Sequence, residues 1–290
     1  MRKPLTLTLA IWAMSASLVA PSFAQAQSAP LRHYTAEYRM YLSGILLSLV
    51  ELHLSISDKT YRLSAHIAPA GVGHILSDSH VVTTTQGAID RGRFVPQRLD
   101  LSWTADDEIK SSFMDYEAGV PVKFRSGYDL PPEAEPKNKV DFDSVGSGSV
   151  DPFLAMLAPI DNNELTSACE GRIRVFDGRR LTTLTAQQPE KIAAHAHEFV
   201  APIPLVACTV IWQPVAGYSE RSMARAADLP PIKAHYGRVA DLDFAAPLDM
   251  RAETKYGNIS LYAVRIFEQV PEAPYPFDIT EMIDFDMENE

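Results

Sequence analysis

The chain has 290 residues, of which 46% are hydrophobic and 22% are charged, with 21 prolines and a net charge of −11. These values are typical of an ordinary folded protein, and they exclude a fully disordered chain, a collagen and a coiled coil. The excess of acidic residues argues against a nucleic-acid-binding protein, because such proteins present a broad basic face.

The N-terminus has the pattern of a secretory signal peptide. Arg2 and Lys3 precede an apolar run from Leu5 to Ala20, and small residues then mark cleavage sites at Ala24 and Ala26. The run is about 16 residues long, whereas a membrane-spanning helix needs roughly 20. We therefore expect residues 1–24 to be removed. The mature protein is expected to lie in the periplasm, with no transmembrane segment.

Two cysteines, Cys169 and Cys208, are the only ones in the chain. In an exported protein, such a pair most simply forms one disulfide. A metal site would need more ligands than two thiols, and the C-x-x-C motif of thiol exchange is missing from the sequence. We predict a disulfide that closes a loop of about 40 residues and contributes roughly 3–4 kcal/mol.

The chain after the signal peptide is dominated by strand patterns. Apolar and polar residues alternate over 34–42, 52–57 and 61–67, and the turn Asp58-Lys59-Thr60 joins the last two segments. Period-two alternation predicts antiparallel strands with one face in water. By the same criteria, further strands are predicted at 80–86, 98–103, 109–116, 122–128, 172–176, 179–185, 195–200, 205–212, 234–244, 249–255 and 259–267.

The middle of the chain changes composition. Residues 131–149 contain three prolines and the run Gly146-Ser147-Gly148-Ser149, which is typical of a loop or linker. Asp151 followed by Pro152 has the pattern of a helix N-terminus, so a short helix is predicted near 151–158. Asp177-Gly178 is the strongest hairpin turn signal in the chain.

About twelve antiparallel strands need a closed or strongly curled sheet, because a flat sheet would leave its edges exposed. We therefore predict a mainly β fold in which residues 25–270 form one strongly curled or spiral, barrel-like sheet. The linker-like segment 131–149 lies inside this single domain. Residues 271–290 are acidic and are expected to form a solvated C-terminal tail.

Short segments distributed over residues 31–268 match the pattern of a known family. They are Tyr34-x-x-x-Tyr38, Gly44, Tyr61-Arg62, Ala70-Gly71, Pro96, Asp151-Pro152, Cys169, Val175 to Arg180, Cys208, Trp212 and Gly237. The chain thereby resembles domain-of-unknown-function family 3108, exported envelope proteins of Gram-negative bacteria. The resemblance implies a periplasmic, mostly antiparallel β protein, similar in architecture to lipoprotein carriers. It implies no established reaction and no catalytic residues.

One cluster suggests metal chemistry. His195 and His197 are two residues apart on a predicted strand, so both imidazoles would lie on one face and could share a zinc ion. His235 or Glu253 would supply the third ligand of a metal-dependent hydrolase. The alternative is two histidines on the wet face of a strand. The sequence lacks an H-E-x-x-H motif, and we expect no cofactor.

A second cluster suggests anion binding. Arg179 and Arg180 follow the Asp177-Gly178 turn and could offer two guanidinium groups to a phosphate or a carboxylate. The alternative is a hairpin tip that carries charges. The sequence contains neither a nucleophilic serine elbow nor a phosphate-binding loop, so hydrolysis by serine and nucleotide chemistry lack support.

These features predict a non-enzymatic envelope protein. It would bind an apolar or acyl ligand, or an envelope partner, through the concave face of the curled sheet. The side chains expected to line that face are Tyr38, Leu63, Leu101, Trp103 and Trp212, for which the alternative is plain core packing. A second hypothesis is a scaffold that joins partner proteins through its sheet edges and its acidic tail.

Overall fold

The computed structural model describes residues 30–105, 108–127, 136, 138–192, 204–226 and 228–269. The strands are β1 Arg32–Leu42, β2 Ile45–Ile56, β3 Thr60–Pro69, β4 His80–Asp90, β5 Arg93–Ala105, β6 Glu108–Glu117, β7 Val120–Arg125, β8 Ser149–Val150, β9 Ala158–Pro159, β10 Gly171–Phe176, β11 Leu181–Ile192, β12 Leu205–Ala216, β13 Ile232–Arg238, β14 Phe244–Thr254 and β15 Gly257–Gln269. The α-helices are α1 Gly73–Leu76, α2 Phe142–Val145 and α3 Glu220–Ala226, and 3₁₀ helices occupy Leu154–Met156 and Leu165–Cys169.

The strands build one curled sheet. Its hydrogen-bonded order is β7-β6-β5-β4-β3-β2-β1-β15-β14-β13-β12-β11-β10-β8, and β9 pairs with β14 away from this path. Neighbours are antiparallel except β10 and β8, which are parallel. Because β1 pairs with β15, the first and last strands lie side by side in the middle of the sheet. The predicted mainly β, barrel-like fold is confirmed, with more strands than the twelve expected.

The two margins of the sheet, β7 and β8, meet through side chains. Leu99, Met114 and Tyr116 come from strands near the β7 margin, and all three are buried. They pack in one cluster, here called the seam cluster, with Val145 of α2, Phe176 of β10 and Leu181 of β11. Hydrophobic packing therefore joins these margins of the barrel.

The turn after β10 reaches across this seam. Asp177 Oδ1 accepts hydrogen bonds from the backbone N–H groups of Arg179, at 2.9 Å, and Arg180, at 2.6 Å, which fixes the turn. Gly178 lies directly against the ring of Phe124 on β7. Arg179 Nη2 donates to Ser126 Oγ at 2.7 Å. The Phe-Asp-Gly-Arg-Arg segment thus helps to close the barrel.

The inner face of the sheet is packed with side chains. Tyr38 and Leu63 are 1% and 2% exposed, and they belong to a core cluster that includes Leu154 and Leu157 from the segment after Asp151. That segment forms only the 3₁₀ turn Leu154–Met156, so the predicted helix over 151–158 is shorter than expected. Pro159 explains the difference, because the residue before a proline avoids the helical conformation.

Other boundaries also differ from the sequence expectation. Part of the predicted linker is ordered as α2, which Asp141 caps by accepting from the backbone N–H of Asp143, and as β8. The strand predicted over 234–244 ends at Arg238, and Phe244 begins the next one. The predicted signal peptide, the acidic tail and the strand at 195–200 lie outside the described residues. In the part of the chain that is described, no helix is long and apolar enough to cross a membrane.

The predicted disulfide is confirmed. Cys169 and Cys208 are bonded, with their Cα atoms 5.3 Å apart. Both cysteines are buried, at 0% and 3% exposure, in a second core cluster. The bond attaches the 3₁₀ helix Leu165–Cys169 to the inner face of β12.

Candidate functional site

The best-defined site is a groove on the outer face of the sheet. Alternation along β13, β14, β15 and β1 places one set of side chains in the core and the other set outside. The cavity has a volume of about 1010 Å³, and a smaller hollow of about 440 Å³ adjoins it. Lys233 and Arg251 line both. We call the two together the outer groove.

Strand register builds the wall of the outer groove from two rows of side chains. In one row, Arg39 lies opposite Tyr262, Tyr262 opposite Asp249, and Asp249 opposite His235. In the next row the neighbours, taken from β1 to β13, are Tyr41, Ser260, Arg251 and Lys233. Cross-strand neighbours on one face lie close enough to interact. Three consecutive strands, together with β1 from the other end of the chain, therefore bring three cations and two tyrosines to one surface.

Asp249 lies at the base of this wall and is 3% exposed. Arg251 holds the carboxylate with two hydrogen bonds, from Nε to Oδ1 at 3.2 Å and from Nη2 to Oδ2 at 2.9 Å. His235 Nδ1 lies 3.6 Å from Asp249 Oδ2. Burial lowers the pKa of Arg251, but the charge of Asp249 and the contact with Tyr262 outweigh it and raise the pKa. The guanidinium therefore stays charged and neutralises the buried carboxylate.

The remaining lining of the larger cavity combines charge with apolar surface. Lys233 Nζ donates to Thr209 Oγ1 at 3.0 Å, which positions the ammonium group along the wall. The Arg251 guanidinium carbon lies 5.6 Å from the centre of the Tyr262 ring. Among the lining residues, Arg39, Lys233 and Arg251 face a single acidic one, Glu253. The apolar part of the lining is Pro230, Pro231, Ala252, Ala263 and Val264.

The five side chains predicted to bind a ligand do not line one common site in the structure. Tyr38 and Leu63 lie in the packed core, as described above. Leu101, Trp103 and Trp212 are half-buried on β5 and β12, outside that core cluster. Trp212 packs edge-on against Tyr218, with ring centres 5.6 Å apart. A ligand-binding role for these five residues stays a prediction.

Both predicted anion-binding arginines have structural contacts. Arg179 bonds Ser126 across the seam, and the Arg180 guanidinium carbon lies 5.7 Å from the centre of the Tyr218 ring. These contacts are the ones expected of a hairpin tip that carries charges, which is the alternative to anion binding. Anion binding by this pair stays a prediction.

The predicted metal site falls largely outside the structure. His195 and His197 lie outside the described residues. Of the two suggested third ligands, His235 contacts Asp249, and Glu253 lies on the wall of the outer groove. Over the described ranges, no group of three or more histidine, cysteine, aspartate or glutamate side chains is placed to hold a metal ion.

A polar group also lies inside the barrel, around Asp151, which is 1% exposed. Its Oδ1 accepts from the backbone N–H groups of Phe153, at 2.9 Å, and Leu154, at 3.1 Å. Its Oδ2 and the Tyr61 and Tyr116 hydroxyls have no hydrogen-bond partner of regular geometry among the described residues. Burial raises the pKa of Asp151, although the two backbone hydrogen bonds lower it. The neutral carboxyl is therefore favoured at this position.

Sequence reasoning missed the outer groove. The signal was present as polar pairs two residues apart, such as Asp249 with Arg251 on a predicted strand, and Lys233 with His235 at the start of another, which was predicted to begin at residue 234. Alternation alone assigns such pairs to a wet face. Only the pairing of β1 with β15 brings Arg39 and Tyr41 beside them.

Comparisons with known proteins give a family and a structural neighbour of low sequence identity. The β-barrel-like protein of domain of unknown function DUF1849 from Brucella abortus is similar in structure. Its TM-score is 0.42 at 10% identity, over 82% of this chain and 98% of that chain. No curated protein matches the sequence. The model of a family of proteins of unknown function, DUF3108, matches residues 37–201, which is more than half of the chain. The protein therefore belongs to the DUF3108 family.

Proposed function

We propose that this protein is a non-catalytic binding protein of the periplasm and that it holds an anionic amphiphile, such as an acyl chain with a phosphate or carboxylate head, in the outer groove. The observation that carries the proposal is the convergence of Arg39, Lys233 and Arg251 beside an apolar lining. Arg251 is paired with Asp249, so Arg39 and Lys233 against Glu253 leave the larger cavity with a surplus of positive charge, which favours a negatively charged ligand on a chain with a net charge of −11.

The composition of the groove favours an amphiphile over a small inorganic anion. Tyr41 and Tyr262 stand in the rows that carry the cations, and both tyrosines line the cavity with the prolines and alanines. An apolar chain would bury its surface there, which contributes about 25 cal/mol per Å² before the costs of association. The head group would form charge-assisted hydrogen bonds with the basic side chains.

The packed interior supports a site on the outer face. Tyr38 and Leu63 are in contact with the core, so a ligand at the inner face would have to displace these side chains. The outer groove needs no such displacement. The proposal therefore keeps the acyl ligand that the sequence suggested. It moves the binding surface from the concave inner face of the sheet to the outer face.

Calorimetric titration with decyl phosphate, below its critical micelle concentration, tests the proposal. We expect saturable binding to the wild type, and we expect decyl maltoside, which has a neutral head, to bind at least about tenfold more weakly. Lys233→Gln is expected to weaken decyl phosphate binding by about tenfold. Lys191→Gln is the matched control, because Lys191 lies outside the groove and is paired with Glu164. Equal affinity for both detergents, or for both variants, would overturn the proposal.

A further inference from the structure

Exposed apolar side chains gather where three chain segments meet at one end of the barrel. The segments are the β1–β2 turn, residues 70–77 around α1, and the β14–β15 turn. Ser43 N donates to Asn258 O at 2.7 Å, and Ala70 N donates to Leu47 O at 2.8 Å, so the segments are directly connected. The exposed side chains, here called the rim patch, are Ile45, Leu49, Val72, Ile75, Leu76 and Tyr256.

The helix α1 contributes little to the core. Of its four residues only Gly73 is buried, while Ile75 and Leu76 are 84% and 72% exposed. A Cβ at Gly73 would lie 1.9 Å from Leu47 O, so the helix backbone rests directly on β2. This close seat directs the two largest side chains of α1 toward solvent. Adjacent apolar side chains with such exposure are typical of interaction surfaces.

Cations flank the rim patch. Tyr256, at the tip of the β14–β15 turn, is 73% exposed. Lys255 Nζ lies 4.2 Å from the centre of its ring. The contact with Lys255 lowers the pKa of Tyr256, and the charges of Arg225 and Arg221 on α3 act in the same direction. Lys255 therefore contacts the aromatic residue of the patch, and the positive charges of Arg221 and Arg225 also act on it.

We infer that this end of the barrel docks on a membrane surface that contains anionic lipids. Aliphatic side chains and a tyrosine would enter the interfacial layer, and Lys255, Arg221 and Arg225 would contact the lipid phosphates. Amphipathic elements that bind bilayer surfaces combine apolar side chains with basic ones in this way. Tyrosine is also enriched at the level of the lipid head groups.

Two features favour a lipid surface as the occupant. Val72, Ile75, Leu76 and Tyr256 lie on turns or on α1, outside the strands, and Ile45 and Leu49 lie at the adjoining end of β2. Separate exposed side chains of this kind suit a lipid interface, because each one can insert into it. The start of β1 and the end of β15 lie at the opposite end of the barrel, where Arg32 pairs with Ile56 and His33 pairs with Gln269. The rim patch is therefore far from the points at which the described chain enters and leaves the sheet. The inference does not depend on the proposed ligand of the outer groove.

Co-sedimentation of the purified protein with lipid vesicles tests the inference. We expect binding to vesicles of phosphatidylethanolamine and phosphatidylglycerol, weaker binding at high salt, and little binding to phosphatidylcholine. The double change Ile75→Ser with Leu76→Ser is expected to lower partitioning by at least about tenfold. Arg221→Glu with Arg225→Glu is expected to abolish the preference for anionic lipid.

Matched controls separate docking from other effects. Leu31→Ser removes an apolar side chain that is 52% exposed at the opposite end, and it should bind vesicles like the wild type. Lys233→Gln should also bind normally, which distinguishes this surface from the outer groove. The inference is overturned if the Ile75/Leu76 variant binds as the wild type does, or if the wild type binds no vesicle. It is also overturned if gel filtration finds a wild-type dimer that the variant loses, because the patch would then join two copies.

Discussion

Gly178, in the turn after β10, lies so close to Phe124 of β7 that a Cβ atom on it would be 2.2 Å from the aromatic ring. The same glycine has a φ of +91°, which is unfavourable for residues with a side chain. Two elements that share no backbone ladder are therefore held together by a contact that requires glycine. This contact gives the Asp177-Gly178 pair a role in closing the barrel as well as in forming a turn.

Gly178→Ala is expected to destabilise the protein by about 2–4 kcal/mol, because overpacking and backbone strain add together. Urea unfolding measures the effect. Gly92→Ala is the control, since Gly92 has a φ of +72° and no atom within 4 Å of a new Cβ. It should cost about 1 kcal/mol. If both variants lose the same free energy, the contact with Phe124 has no part in stability.

The disulfide provides a second prediction. Cys169→Ala, Cys208→Ala and the double variant should each lower the free energy of unfolding by roughly 3–4 kcal/mol, because each one opens the same loop. Thermal unfolding compares the three, and a reducing agent should bring the wild type close to them. A double variant clearly less stable than both single variants would contradict a shared bond as the main effect.

The buried carboxyl of Asp151 should make stability depend on pH. Its pKa is higher in the folded protein than in the unfolded chain, so folding favours the protonated form. As the pH rises from the unfolded value, near 3.8, through the folded value, Asp151 should therefore cost stability. Asp151→Asn removes this cost, and its advantage over the wild type should grow with pH across that range.

Urea unfolding at several pH values measures the difference between wild type and Asp151→Asn. Taking the difference cancels the titration of the other carboxylates. Asp58→Asn is the matched control, because Asp58 is exposed in the β2–β3 turn. A difference between Asp151→Asn and wild type that stays constant with pH would mean that the Asp151 pKa is not raised by folding.

Arg251 offers a test of the outer groove that is independent of ligand. Arg251→Gln leaves Asp249 buried without its main partner, and we expect a loss of about 1–3 kcal/mol. Adding Asp249→Asn should restore part of this loss, as a double-mutant cycle would measure. Arg265→Gln is a close control, because the side chains of Arg251 and Arg265 are both 59% exposed. Their partners differ, since the Glu37 side chain beside Arg265 is 33% exposed and the Asp249 side chain is 4% exposed. That change should cost less than about 1 kcal/mol.

The elements of this fold could be predicted because their signals are local. Alternation over Tyr61 to Ile67 and the turn at Asp58 identify strands from a few neighbouring residues. The single pair of cysteines left one simple disulfide, Cys169–Cys208. The helix near Asp151 was overestimated for a local reason too, since the capping signal competes with Pro159 and the proline prevails.

The outer groove could not be predicted because it depends on long-range order. Arg39 and Tyr262 are opposite each other only because β1 and β15 pair. The burial of Asp249 likewise follows from its neighbours on β13 and β15, and aspartate in an alternating strand otherwise indicates a wet face. Strand order, which the sequence pattern did not specify, decides which polar residues meet.

The side-chain closure between β7 and β8 gives the barrel a line along which it can open without breaking a backbone ladder. Separation there exposes mainly hydrocarbon groups, such as those of Met114 and Phe176, whereas separation between any other neighbours on the path breaks a row of amide–carbonyl bonds. Hydrophobic attraction weakens on cooling. The seam is therefore the place where cold should loosen this protein first, and the NMR signal of the Met114 methyl group should report the lost packing before the amides of the central strands begin to exchange.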